Sequence, residues 1–91
     1  MIDVKFKPTP ICHKGKRGNY KMIPEKKIIY DLDRLEKKEG FVTRRPTKAI
    51  LIMEKDNISW VFSNKKGEVM IENVVPDTPE RALELLTEAL D

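Results

Sequence analysis

One stretch of the 91-residue chain, CHKGKRGNYK at residues 12–21, concentrates the side chains that could do chemistry. It holds the sole cysteine and the sole histidine of the protein, two of its four glycines, and four cationic residues: Lys14, Lys16, Arg17 and Lys21. Such residues could form a metal site, a thiol nucleophile with its base, a phosphate-binding loop or a nucleic-acid-binding loop. The spacing of these residues decides which of the four kinds of site is possible.

Cys12 and His13 are adjacent, so in an extended segment their side chains point to opposite faces. A structural zinc ion takes four ligands, usually paired Cys or His residues, and the chain has no second Cys or His. The same geometry argues against a cysteine–histidine nucleophile pair. We therefore expect no metal and no cofactor, and we predict that Cys12 packs as a small buried hydrophobic residue.

The two glycines do not form a nucleotide P-loop, which needs a longer spacing and a following Ser or Thr. Residues 15–18, GKRG, resemble the GxxG loop of KH domains, but that family places the loop between two helices, and here Pro8 and Pro10 precede it. The physical properties that let such a loop bind phosphates do not depend on membership of the KH family. Glycines let the backbone approach a ligand closely, and the flanking cations neutralise phosphates.

The charge distribution is compatible with a polyanion partner and equally with two halves of the chain that neutralise each other across the surface. Residues 1–48 carry 14 Lys/Arg and 6 Asp/Glu, whereas residues 49–91 carry 4 and 9. We predict that the basic half binds nucleic acid or another polyanion, with tyrosines available to stack on bases. The candidate residues are Lys14, Lys16, Arg17, Tyr20, Lys21, Lys26, Lys27, Arg44 and Arg45. A solvated turn explains the same residues, and both interpretations stay open.

Catalysis finds little support in the sequence. No G-x-S-x-G motif surrounds Ser59 or Ser63, and the carboxylates of residues 31–39 lie where helix caps and solvation explain them. We therefore expect a binding protein without enzymatic activity.

The elements of the basic half are irregular. Residues 2–7 alternate apolar and charged side chains, which predicts a strand that Pro8 and Pro10 should end. A turn over residues 14–19 leads into an extended segment that ends at Pro24, and residues 26–30 favour a further strand. Asp31 or Asp33 should cap a helix of about two turns, and residues 41–46 should form a linker.

The C-terminal half has clearer periodicity. Three strands are predicted over residues 48–55, 58–63 and 68–74, joined by tight turns, with Trp60 in the core. Asp77 or Thr78 should cap a final helix that has Pro79 in its first turn. Its apolar face is predicted to comprise Ala82, Leu83, Leu85, Leu86, Ala89 and Leu90.

Two known families share this layout. SWVFSNKKGEVMIENV followed by PERALELLTEAL resembles the last hairpin and helix of a TATA-binding-protein half-repeat, and KAILIMEKDN through DTPERALELL is similar to the core of HicB-type antitoxins. Each resemblance covers less than half of the chain and implies only the fold class. We predict one α+β domain over residues 1–91, with a mainly antiparallel sheet of four to six strands, a short middle helix and a C-terminal amphipathic helix packed on one face.

Residues 49–53, AILIM, are apolar on both faces of their predicted strand, which is typical of a strand covered on both sides. The cover could come from the monomer itself or from a second copy. The rival hypothesis is therefore a protein-interaction or accessory subunit, homodimeric through an apolar sheet face.

The apolar run at residues 49–53 is too short to span a bilayer, and residues 1–8 have no apolar core of signal-peptide type, so we expect a cytoplasmic protein without a membrane partner.

Overall fold

The computed structural model describes the backbone of residues 4–14 and 17–91 and the side chains of residues 4–11 and 18–91. Its elements, in chain order, are β1 (Phe6–Lys14), β2 (Arg17–Pro24), α1 (Leu32–Glu36), β3 (Val42–Thr47), β4 (Ile50–Lys55), β5 (Ile58–Ser63), β6 (Val69–Val74) and α2 (Pro79–Leu90). They confirm the predicted α+β class.

The six strands form one antiparallel sheet in the order β1-β2-β6-β5-β4-β3. Strands β3 to β6 are neighbours in chain order, and the β1–β2 hairpin joins this meander beside β6. Gly18 of β2 pairs with Val74 of β6, so the two halves of the sequence meet in the middle of the sheet. As a result, the tip of the β1–β2 hairpin and the turn at Asp56–Asn57 lie at one end of the sheet.

Both outer strands contain proline, which corrects two sequence predictions. Pro8 and Pro10 do not end the first strand but pair with Met22 and Tyr20 inside β1, and the linker predicted over residues 41–46 is largely strand β3, which includes Pro46. The reason is topological, because a proline nitrogen is tolerated in a strand when it faces a free sheet edge. The same prolines remove donors from both edges and so disfavour edge-to-edge association.

A third correction concerns residues 26–30, which form no strand. This segment crosses the end of the sheet towards the helical layer. There the backbone N–H and carbonyl of Tyr30 form hydrogen bonds with a side chain instead of with a neighbouring strand. The Tyr30 N–H donates to Asn64 Oδ1 at 2.8 Å, and Asn64 Nδ2 donates to the Tyr30 carbonyl at 3.0 Å. The amide of one asparagine thus replaces a strand ladder at this position.

The core lies between one face of the sheet and the two helices. Trp60 and Phe62 are buried there as predicted, and the Trp60 indole N–H donates to the Leu85 carbonyl of α2 at 3.0 Å. Thr78 caps α2 and Asp31 caps α1, each accepting a backbone N–H in the first turn. One residue of the predicted helix face is misplaced, because Leu83 is 38% exposed.

The opposite face of the sheet is covered by no described element. Ile52, Val61 and Met70 lie side by side in its central row, flanked by Arg44 on β3 and Lys21 on β2. We call the outward-facing residues of the strands the open sheet face. Of the two alternatives for its cover, the one within the monomer is not found in the described part of the chain, since α1 and α2 both pack on the other side.

Candidate polyanion-binding surfaces

The tip of the β1–β2 hairpin comprises residues 14–17. Lys14 and Arg17 are directly opposed in the strand register and form the last described pair of the hairpin. This pair lies one residue beyond Gly18, the last residue at which β2 pairs with β6. Gly15 and Lys16 lie outside the described residues, as do the side chains of residues 12–17, which include Cys12 and His13.

Gly18 and Tyr20 anchor the base of this hairpin. The Tyr20 hydroxyl donates to Asp77 Oδ1 at 2.7 Å, and the Asp77 carboxylate lies so close over Gly18 that a Cβ there would overlap it. Burial, followed by the hydrogen bond to Asp77, raises the pKa of Tyr20 to about 12. Tyr20 is only 2% exposed, so its predicted role as a base-stacking group is wrong. The same holds for Tyr30, which is 4% exposed.

Lys21 and Arg44 lie on the open sheet face, and each has an acidic partner. Lys21 Nζ is 3.7 Å from Glu68 Oε1, and Arg44 Nη2 is 3.0 Å from Glu54 Oε1. Both pairs are partly exposed, so they contribute little to stability. They do reduce the positive field that this face would present to a polyanion.

Arg45 lies on the helical side of β3 and is bound to α1. Its Nη1 donates to Asp33 Oδ1 at 2.8 Å and to Glu36 Oε1 at 3.0 Å, while Nη2 donates to the Lys48 carbonyl at 3.0 Å. The hydrogen bond from Arg45 lowers the pKa of the Asp33 carboxyl. This arginine serves the fold, because it joins β3 and the following turn to α1.

Lys26 and Lys27 lie at the opposite end of the sheet from the hairpin tip. The ends of β2, Arg17 and Pro24, are separated by roughly 23 Å at the usual rise per strand residue. The predicted residue set is therefore not one site. It divides into the hairpin tip, the paired cations of β2 and β3, and the Lys26–Lys27 segment.

Three further lysines, which the sequence analysis did not select, lie at the same end of the sheet as Lys26 and Lys27. Lys48 belongs to the β3–β4 turn, and Lys65 and Lys66 to the β5–β6 loop. All five are exposed. Lys65 and Lys66 form a basic dipeptide, but they belong to the acidic half of the sequence. The hydrogen bonds between Asn64 and Tyr30 bring their loop to the segment that contains Lys26 and Lys27, and the sequence carries no signal for that contact.

A cleft of about 320 Å³ lies between the start of β1 and α2. Its described lining is mostly apolar and includes Val4, Phe6, Leu83, Leu86 and Leu90.

No group of three or more His, Cys, Asp or Glu side chains within the described residues is arranged to hold a metal ion.

Comparisons with known proteins identify no relative. No protein-family model matches the chain, and neither the curated proteins nor the solved structures contain a significant match. None of the described helices is long and apolar enough to cross a membrane.

Proposed function

We propose that this protein is a small, non-enzymatic binding module for nucleic acid or another polyanion, and that the hairpin tip is its contact surface. The observation that carries the proposal is the backbone register of the hairpin. The backbones of Lys14 and Arg17 pair at the end of the β1–β2 ribbon, one residue beyond the last pairing of β2 with β6, and Lys16 lies between them in the sequence.

The physical basis is electrostatic. Each Lys or Arg that neutralises a phosphate releases condensed counterions, so binding weakens steeply as salt rises. A two-stranded ribbon is also narrow enough to enter the major groove of duplex DNA. Because Tyr20 and Tyr30 are buried, the contact would rest on backbone charge rather than on base stacking.

The test is a titration of fluorescently labelled single-stranded and duplex oligonucleotides, followed by anisotropy over a range of salt concentrations. The variant Lys16→Ala/Arg17→Ala should bind more weakly, and its salt slope should fall by about one unit for each phosphate that the protein no longer neutralises. Lys37→Glu is a matched control, because it changes the net charge by the same amount on the helical layer. Absence of binding to either oligonucleotide at low salt would exclude the proposal.

A second candidate function is self-association through the open sheet face. The specific observation is the uncovered central row of Ile52, Val61 and Met70. Among the described side chains, the charged residues on or beside this face are Lys7, Lys21 and Arg44 against Glu54, Glu68 and Glu72, which balance in number, so two copies of a cationic protein could approach there.

Light scattering during size-exclusion chromatography tests this candidate. The protein should show a concentration-dependent dimer that Val61→Lys abolishes, because a lysine in the middle of the interface would be buried without a partner. A monomer at every concentration up to the millimolar range would eliminate self-association.

A further inference from the structure

Three segments that carry exposed lysines meet at the end of the sheet opposite the hairpin tip. We call residues 25–31, 47–50 and 63–67 together the lysine end. It contains the five exposed lysines Lys26, Lys27, Lys48, Lys65 and Lys66.

Hydrogen bonds hold the three segments together. Asn64 is the centre of this arrangement, because its side chain bonds both backbone groups of Tyr30 and its own N–H donates to the Ala49 carbonyl at 2.8 Å. The Tyr30 hydroxyl donates to the Gly67 carbonyl at 2.6 Å. Each lysine is therefore one to four residues from one of these hydrogen bonds, so the fold brings the three lysine-bearing segments to one end of the sheet.

The lysines of this end have no acidic partner among the described side chains, and the same is true of Lys5, Lys7, Arg34, Lys37 and Lys38. Among the described side chains, the ion pairs use Lys21, Arg44, Arg45, Lys55 and Arg81, and none includes a lysine of this end. The acidic residues in the three segments are Glu25 and Asp31, and Asp31 caps α1. Five exposed lysines against two acidic residues give these segments a net positive charge, which attracts an anionic ligand.

We propose that the lysine end is a second binding surface, specific for the phosphate backbone of duplex nucleic acid and independent of the hairpin tip. Lysine is a point charge that binds phosphate without reading bases. The one aromatic side chain in the three segments, Tyr30, is buried and hydrogen bonded, so this surface offers no platform for unstacked bases. Recognition is therefore independent of sequence and favours a duplex over a single strand.

The experiment measures the anisotropy of a labelled duplex of about 20 base pairs, with an unlabelled single strand of the same sequence as competitor. The variant Lys65→Ala/Lys66→Ala should lower the duplex affinity roughly tenfold at low salt and reduce the salt slope by about two units. Lys37→Glu, with the same change in net charge, serves as the control. Circular dichroism should show that both variants keep the native fold.

The hairpin variant Lys16→Ala/Arg17→Ala separates this proposal from the proposed function. If only the Lys65→Ala/Lys66→Ala variant loses affinity relative to Lys37→Glu, the lysine end binds and the hairpin tip does not. If only the hairpin variant loses affinity, the inference about the lysine end is wrong although the protein still binds nucleic acid. A single strand that competes better than the duplex itself would also overturn it, because the assigned ligand class would be wrong.

Amide chemical shifts provide a second readout that does not depend on a variant. Addition of the duplex should shift the resonances of residues 26–28 and 64–67, whose backbones form the lysine end. Unchanged resonances there during saturation with duplex would contradict the proposal.

Discussion

At the scale of single residues, two glycines adopt the same left-handed conformation in different surroundings. Gly67 has φ of 74° and Gly40 has φ of 87°. A Cβ at Gly67 would lie 3.0 Å from both Cγ2 and the carbonyl oxygen of Ile28, whereas a Cβ at Gly40 would meet nothing within 4 Å. The first glycine therefore combines two requirements, a backbone conformation and a close approach, and the second has only one.

We expect Gly67→Ala to destabilise the protein more than Gly40→Ala. Both changes place an alanine in the left-handed region, at a cost of about 1–2 kcal/mol, and only the first also crowds the Ile28 backbone. Urea denaturation of the two variants measures the difference in the free energy of unfolding. Equal losses would show that the contact between Gly67 and Ile28 is not tight.

The two tyrosines provide a prediction for alkaline pH. Burial raises the pKa of both phenols, that of Tyr20 to about 12, whereas an unfolded tyrosine ionises near pH 10. The neutral phenols therefore contribute stability that is fully present below about pH 10 and is lost as the pH rises through the folded-state values.

Absorbance at the tyrosinate band should accordingly stay low at about pH 10 and rise only as the protein unfolds. Tyr20→Phe should leave one phenol titrating and weaken the anchor between β2 and Asp77. A titration of the folded protein with a midpoint near 10 for both phenols would contradict their burial.

At the scale of elements, the start of α2 depends on one cap. Thr78 has an extended backbone conformation, and its hydroxyl accepts the Arg81 N–H at 3.1 Å. Pro79 follows at a position where a missing N–H costs nothing. The boundary of this helix is therefore specified by two adjacent residues.

Thr78→Ala should lower the free energy of unfolding by about 1 kcal/mol, because the first turn of α2 loses its acceptor. Thr87→Ala in the same helix is the control. Thr87 is exposed and alanine has the higher helix propensity, so this change should be neutral or stabilising by a few tenths of a kcal/mol. Thermal denaturation of both variants measures the effect of the cap. An equal loss in the free energy of unfolding for the two variants would show that the Thr78 hydroxyl does not stabilise the helix start.

At the scale of the whole molecule, the helices cover only one face of the sheet, so alternate residues of each strand are either buried against the helices or directed outward. Val61 and Phe62 are neighbours in β5, yet Phe62 is fully buried in the core and Val61 faces outward on the open sheet face. Phe62 also meets the Tyr30 ring edge-on, with the ring centroids 5.2 Å apart. The period-two alternation thus separates the residues that maintain the fold from those available for binding.

Phe62→Ala should cost about 3–5 kcal/mol, a large share of the stability of so small a domain. Val61→Thr in the same strand should cost less than about 1 kcal/mol, since it changes a partly exposed side chain without altering its branching. Chemical denaturation at low protein concentration compares the two. A comparable loss for Val61→Thr would mean that the open sheet face is packed rather than open.

The sequence by itself determined the elements whose signals are local. The alternation of Ile58, Trp60 and Phe62 depends on residues within a few positions of each other, and it appears in the structure where the pattern predicts it. The local signals limited each helix cap to two candidates, and the structure selects Asp31 and Thr78. The α+β class follows from the same short-range physics.

Only the tertiary structure decided which strands lie at the edges and which side chains meet. Pro8 and Pro10 signal a strand end in any local reading, but they are compatible with β1 because that strand has one free edge. Tyr20 became a core residue because β2 pairs with β6. The lysine end exists because Asn64 binds Tyr30, 34 residues away in the chain. Interactions at such separation depend on how the strands are ordered, and short-range propensities do not encode that order.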